Sequence, residues 1–282
     1  MHAFPIAPSE DTLSFYVVYM SHHIQPDSVA TYLSGICNRL QPFFPHVRHT
    51  RAAPLVSRTL AGCLKLYKTP TNRKRPLSVE DLFYVTSLCP HPSHDDKLFH
   101  ALLHCGFFAL HRLGELVMPD RVALRDWRKV IKRSSVTAYA SGFGYHLPYH
   151  KGDRFFEGST IIILSQDEAD PLPVFNAYLS SRDSLFRLRP ALWLTSAGTP
   201  PTRAWFLRHL RAIFPTDIAG HSLRSGDATH FAAAGWPDER IQALGRWTSQ
   251  AFKTYIRKNP VILQALVHGR TIAERDSARL PQ

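Results

Sequence analysis

The chain has 282 residues, 44% hydrophobic and 20% charged, which is enough apolar material for one large core or two unequal ones and too much for a disordered chain. Lys plus Arg number 34 against 22 Asp plus Glu, a net charge of +12, and a field of that sign attracts polyanions, of which nucleic acid is the commonest. No apolar run reaches membrane-spanning length, no signal-peptide pattern is present and no cysteines form a CxxC pair, which sets aside a membrane partner and a disulfide-stapled secreted fold.

In chain order, "SEDTLSFYVVYMSHH", "PDSVATYLSGICNRLQPFF" and "APLVSRTLAGCLKLY" each carry apolar residues at helical spacing. Ser9 or Asp11 and the run Pro26-Asp27-Ser28 supply helix-start chemistry, so a small helical unit is expected over residues 1–70. The stretch "YKTPTNRKRPLS" then holds two prolines, four basic residues and no apolar residue between Tyr67 and Leu77, which reads as a basic linker at 71–78. A second unit, 79–282, opens with two helices, "SVEDLFYVTSLC" and "DDKLFHALLHCGFFALHRLGELV", the first started by Ser78 with Asp81 three residues on. His100 and His104 in the second stand at i,i+4 spacing, but no Cys or acidic partner has zinc spacing, and both read as structural histidines. The cysteines (Cys37, Cys63, Cys89, Cys105) read as reduced buried thiols.

Helical texture stops at "SSVTAYASGFGYHLPYHKGDRFFEGSTIIIL", whose β-branched and aromatic runs broken by Gly, Pro and Asp predict strands at about 134–140, 143–149 and 159–164. Helices resume at about 171–182, 202–213, 222–234, 238–245 and 249–258, and a short apolar stretch, "NPVILQALVHG", follows. The expected fold is mainly α with one small antiparallel β-sheet, in two domains.

The residues that carry chemistry are spread along the second unit. "FFALHRLGELV" places Arg112 near the end of an apolar helix, one turn before Glu115, and a buried arginine there needs an anionic partner. Lys151 sits in the turn between the second and third strands, and "HSLR", "LGRW" and "FKTYIR" supply His221, Arg224, Trp247 and Tyr255. Taken singly, each also has an ordinary role: a structural ion pair, a solvated turn lysine, core aromatics.

In this order the set resembles the catalytic domain of the tyrosine recombinases, the phage-integrase and Cre-like family, over nearly the whole chain. The texture of "HLPYHKGDRFFEG" and "GRWTSQAFKTYIR" is similar to eukaryotic mobile-element recombinases of the Crypton-like kind. The resemblance implies a helical core-binding domain at 1–70 and a catalytic domain at 79–282. It departs from the family in two places: the N-terminal unit shows three helices where four or more are common, and Trp247 stands eight residues before Tyr255, one fewer than usual. Trp247 is matched to the family's His or Trp position by its distance from Arg224, and Arg246 beside it stays open as a phosphate contact.

The implied activity is site-specific DNA strand exchange through a 3′-phosphotyrosine on Tyr255, with no metal, cofactor or ATP. Arg112 and Arg224 would grip the non-bridging oxygens, Trp247 would donate its indole N–H or wall the pocket, Lys151 would protonate the leaving 5′-oxygen, His221 would act as base or orient the pocket, and Glu115 would hold Arg112 or His221 in place. Duplex contacts would come from Arg73, Lys74 and Arg75 of the linker, from Arg128, Lys129, Lys132 and Arg133, and from Arg203 and Arg246. The partner is double-stranded DNA, bound by a dimer at one site and a tetramer at synapsis, with residues 260–269 as the segment that docks into a neighbour. The expected location is nuclear in a eukaryote and cytoplasmic otherwise. Two other readings stand beside this one: a domesticated DNA-binding protein that has lost catalysis, and a type IB topoisomerase-like activity.

Overall fold

A computed structural model of the chain describes residues 7–69, 74–153, 155–214, 216–247 and 253. The chain divides into two compact units, residues 1–72 and 73–282.

The described residues of the first unit form four helices: α1 (Glu10–Ser21), α2 (Pro26–Leu40), α3 (Val47–Ala52) and α4 (Pro54–Tyr67). The Ser9 hydroxyl caps α1 by accepting from the Thr12 N–H at 3.2 Å, and α2 and α4 start with proline, whose missing N–H costs nothing in a first turn. Helix α3 adds to the three helices expected from the sequence. It is six residues long with basic residues in its last turn, too short and too polar to show a period, and Pro54 ends it by forcing Ala53 into an extended conformation. Leu13, Val17, Val29, Leu33, Val47 and Val56 interlock between these helices as one apolar core.

The second unit begins with an extended strap. The Arg75 N–H donates to the Asp217 carbonyl (2.8 Å) and the Leu77 N–H to that of Ser222 (3.0 Å), so the stretch read as a linker is pinned from its middle onward. A Cβ on Gly226 would lie 2.0 Å from the Leu77 carbonyl oxygen, so only glycine lets the strap cross there. Helix α5 (Val79–Ser87) starts with a full capping box between Ser78 and Asp81, and Arg75 holds the same carboxylate with two hydrogen bonds of 2.6 and 3.0 Å. Helix α6 (His94–Phe108) is buried without a break from Leu98 to its end, the pattern of a helix that is apolar all round. It stops earlier than the sequence implies: Leu110 takes a left-handed conformation (φ 48°), and Arg112 stands ahead of a new four-residue helix, α7 (Leu113–Leu116), instead of closing a long one.

Three single 3₁₀ turns (Val122–Leu124, Trp127–Lys129, Arg133–Ser135) lead into a sheet of order β1-β2-β3, all antiparallel: β1 (Thr137–Tyr139), β2 (Gly142–Leu147) and β3 (Ser159–Leu164). The first two strands are shorter than the sequence suggests and β3 has the expected bounds. Phe143 pairs with Ile163 and Tyr145 with Ile161, and all four face inward. The Phe143 ring stacks on Phe175 at 3.9 Å, which joins the sheet to α8 (Pro171–Phe186), itself packed on α6. Helix α9 (Arg203–Ile213) is followed by α10 (Ser222–Ala233), which packs on α6, and α11 (Asp238–Leu244). The helix expected at 249–258 and the segment 260–269 lie outside the described residues. Among the described residues no helix is long and apolar enough to cross a membrane.

Candidate active site

The site is built around the break after α6. The Asp227 carboxylate of α10 accepts the Leu110 N–H at 3.0 Å, and this bond holds the left-handed turn. The Leu110 carbonyl, aimed by that turn, accepts from Arg224 Nη1 at 2.9 Å and from Arg246 Nη2 at 3.4 Å. Asp227 is fully buried, and burial pushes its pKa well above the usual carboxylate range although the Leu110 N–H and the charges of Arg224 and Arg246 pull the other way. The Arg224 guanidinium also reaches the Gly245 carbonyl and stacks 4.1 Å from the centre of the Trp247 ring. It is 1% exposed, so it sits beneath the surface, covered by Trp247. A Cβ on Gly245 would overlap the Trp247 ring, and glycine there lets the indole lie flat.

Glu115 is the electrostatic centre. Its carboxylate accepts from Arg112 Nη1 (3.0 Å), the Arg112 N–H (3.1 Å), His111 Nδ1 (3.0 Å) and Arg246 Nη2 (3.2 Å). Burial pushes its pKa up, but the His111 hydrogen bond and the neighbouring positive charges outweigh it and hold the group far below the usual carboxylate range. Since an ionised carboxylate only accepts, His111 must carry its proton on Nδ1, and Nε2 then accepts from the Tyr145 hydroxyl at 2.8 Å. Burial lowers the His111 pKa to about 4, so the imidazole is neutral near pH 7. Arg246 keeps the left-handed conformation (φ 52°) that turns its side chain inward onto Glu115 and the Ala109 and Leu110 carbonyls.

Beside Glu115 opens a cleft of about 340 Å³ whose lining includes Arg112, Glu115, Lys129, Tyr149 and Lys151. Lys151 is exposed at the start of the β2–β3 loop. The loop is held from inside by Asp153, which accepts the N–H groups of Phe155 (3.0 Å), Glu157 (3.2 Å) and Gly158 (2.9 Å). The Gly158 hydrogen bond, with those of Phe155 and Glu157, keeps the Asp153 carboxyl below its usual range despite partial desolvation. Two cation–π contacts join this loop to the second 3₁₀ turn: Arg128 over the Phe156 ring (4.6 Å) and Lys129 over the Tyr149 ring (4.1 Å). His221 is exposed at the N-terminus of α10, and desolvation together with the charges of Arg224 and Arg112 lowers its pKa.

The structure thus gathers Arg112, Glu115 and Lys151 on one cleft and Arg224, Arg246 and Trp247 on the adjoining Leu110 turn, with His221 in the field of Arg224 and Arg112. Tyr255 and Arg73 lie outside the described residues. Of the proposed duplex contacts, Arg246 is turned inward and 10% exposed, Arg133 pairs with Asp183 (2.7 Å), Arg75 with Asp81, and Lys74 donates to the Thr216 carbonyl (2.7 Å). Arg128, Lys129, Lys132 and Arg203 are exposed. His104 Nδ1 is bonded to the His100 carbonyl at 2.9 Å, and no group of three metal-ligating side chains occurs among the described residues. Sequence reasoning missed His111, Tyr145, Asp153 and Asp227. The one local trace of any of them is the i,i+4 spacing of His111 and Glu115 in "HRLGE".

No family model matches the sequence, and no curated protein is similar to it. The fold, however, is shared with solved structures. Over 94% of its length the chain is similar to the XerH site-specific recombinase bound to palindromic difH substrate, with TM-score 0.60, 13% identity and 70% of that chain covered. It is similar over 94% to the Tn1549 transposon integrase in complex with circular intermediate DNA (TM-score 0.57, 13% identity, 87% of that chain). It is also similar over 89% to a lambda integrase dimer bound to a core site (TM-score 0.54, 16% identity, 82% of that chain).

Proposed function

We propose that this chain, which has the fold of the tyrosine recombinases, is a DNA strand-exchange enzyme that cuts and rejoins a site-specific duplex through Tyr255. The observation that carries the reading is the meeting of Arg112 and Lys151 on one cleft, beside the buried Arg224 and under an ionised Glu115. A phosphodiester repels nucleophiles, and its transition state gathers charge on the non-bridging oxygens, where fixed cations stabilise it. Arg112, aligned by Glu115, supplies a partly exposed fork that lines the cleft, and Arg224 adds its charge from beneath Trp247. The Tyr255 oxygen attacks phosphorus as its proton passes to His221, whose lowered pKa keeps it neutral and able to accept near pH 7. The bond to the 5′-oxygen breaks, and Lys151 protonates that oxygen. The 3′-phosphotyrosine conserves the bond energy, so rejoining needs no ATP, and the arginines and lysine supply the positive charge that a metal ion would otherwise bring. The helical unit 1–72 serves as a DNA clamp, and assembly as a dimer on each site and a tetramer at synapsis completes the reaction.

The general-acid role has a direct test. Lys151→Ala should slow cleavage of nicked duplexes taken from the DNA flanking the gene by about 10²-fold. A 5′-bridging phosphorothiolate, whose sulfur leaves without a proton, should restore Lys151→Ala but not Arg112→Ala. Failure of the sulfur substrate to restore Lys151→Ala removes the lysine from that role.

A further inference from the structure

The second 3₁₀ turn and the β2–β3 loop, which both supply lining residues of the cleft, each carry an aromatic ring turned out to solvent. Trp127, on the second 3₁₀ turn, is 65% exposed, and Phe155, on the β2–β3 loop, is 81% exposed. Neither is placed there by a slack chain. Asp126 accepts the Arg128 N–H at 3.1 Å and fixes the turn that presents Trp127. Asp153 accepts the Phe155 N–H at 3.0 Å and fixes the loop that presents Phe155. The two cation–π contacts, Arg128 on Phe156 and Lys129 on Tyr149, use the inner aromatics to tie these segments together and leave the outer two uncovered. Asp126 and Lys129 on one side and Lys151 on the other line the same cleft, so each exposed ring is carried by a segment that also supplies cleft-lining residues, and one of these segments bears the proposed general acid.

The occupant follows from charge and shape. Residues 121–133 carry six cations against one carboxylate, Asp126, so an anionic partner is favoured over an apolar protein surface. Flat rings flanked by cations that track a backbone are the arrangement that holds nucleic-acid bases by stacking. A base inside an intact duplex is already stacked on both faces and offers such a ring nothing but its edge. An unpaired base offers its face. Resting on the DNA-cleaving function proposed above, we infer that Trp127 and Phe155 form a base-stacking rim and that the preferred substrate has unstacked bases next to the scissile phosphate, as in a bubble, bulge or mismatch. The rim selects substrate by local duplex opening, independently of base identity, because every base has a stacking face.

The test compares a fully paired duplex with the same duplex carrying a short bubble of unpaired bases, one of them 2-aminopurine, at matched salt. Wild-type protein should bind the bubble about tenfold more tightly, the size of one base–aromatic stack, and change the 2-aminopurine emission. Trp127→Ala/Phe155→Ala should bind the paired duplex within about twofold of wild type and lose the bubble preference. Trp127→Phe/Phe155→Tyr should keep most of it. Both rings are exposed, so these substitutions leave the core intact, and matching thermal melts check this. Equal affinity of wild-type protein for the two duplexes overturns the proposal, as does a preference that survives in the double alanine variant or an equal fall on both substrates. If wild-type protein binds neither DNA at low salt, the DNA reading itself fails and the rim falls with it.

Discussion

At the scale of single residues, the site is an exercise in satisfying buried charge. Glu115 faces two guanidiniums and an imidazole, and its side chain is 5% exposed. Glu115→Gln keeps the shape and removes the anion, which strands the Arg246 charge among carbonyls. Breaking a buried pair from one side costs about 3 kcal/mol, and urea unfolding of the variant should show a loss of that order. A variant as stable as wild type would mean that the carbonyls of Ala109, Leu110 and Leu244 alone satisfy Arg246. The residue types of the site are legible in the sequence, because an arginine on an apolar stretch and a lysine in a strand turn are locally odd. Their supports are not. Asp227 acts on Leu110 from 117 positions away, and Tyr145 meets His111 from 34 away, so no window of sequence contains either pair.

At the scale of elements, the β2–β3 loop carries Lys151 beside a turn that one carboxylate, Asp153, organises. Phe156 has a positive φ of 59°, which a bulky residue in an unsupported loop would not hold, and Gly158 (φ 71°) takes the left-handed turn that follows without strain. Asp153→Ala removes the acceptor of three backbone N–H groups and lets the lysine wander. Single-turnover cleavage should slow by about tenfold to a hundredfold while DNA affinity moves by less than about threefold, since placement and not charge is lost. An equal fall in affinity and rate would show instead that the loop serves binding. The same contrast explains which elements can be read from sequence. Strand β3 is bounded by a glycine and by polar turn residues, and its limits are visible in "GSTIIILSQD". The end of α6 is not visible, because "FFALHRLGEL" contains no glycine or proline before Gly114 and the break is imposed by Asp227 from another helix. Helix α3 escapes notice for the opposite reason, being too short and polar to carry a period.

At the scale of the whole molecule, buried neutral histidines set the pH range in which the fold is secure. Burial moves His104 and His111 from an ordinary value of 6.5 to about 4. Between those values the unfolded chain takes up protons that the folded chain refuses, so stability falls as pH drops through that window and levels off below it. Each histidine contributes up to roughly 3 kcal/mol to that fall. Thermal melts from pH 7.5 to 4.5 should follow it, and His104→Gln should flatten the slope even if it lowers stability at pH 7.5. A slope unchanged in the variant would assign the effect to other groups. The proposed cleavage of DNA by Tyr255 is open to one direct measurement, covalent trapping in excess EDTA. Wild-type protein and Tyr255→Phe would each be incubated with nicked fragments from the gene's flanks, and the SDS-resistant complexes digested for peptide mapping. A nucleotide adduct on Tyr255, absent from the variant, is the expected result. Salt-sensitive binding of the same fragments without any tyrosine adduct would contradict it.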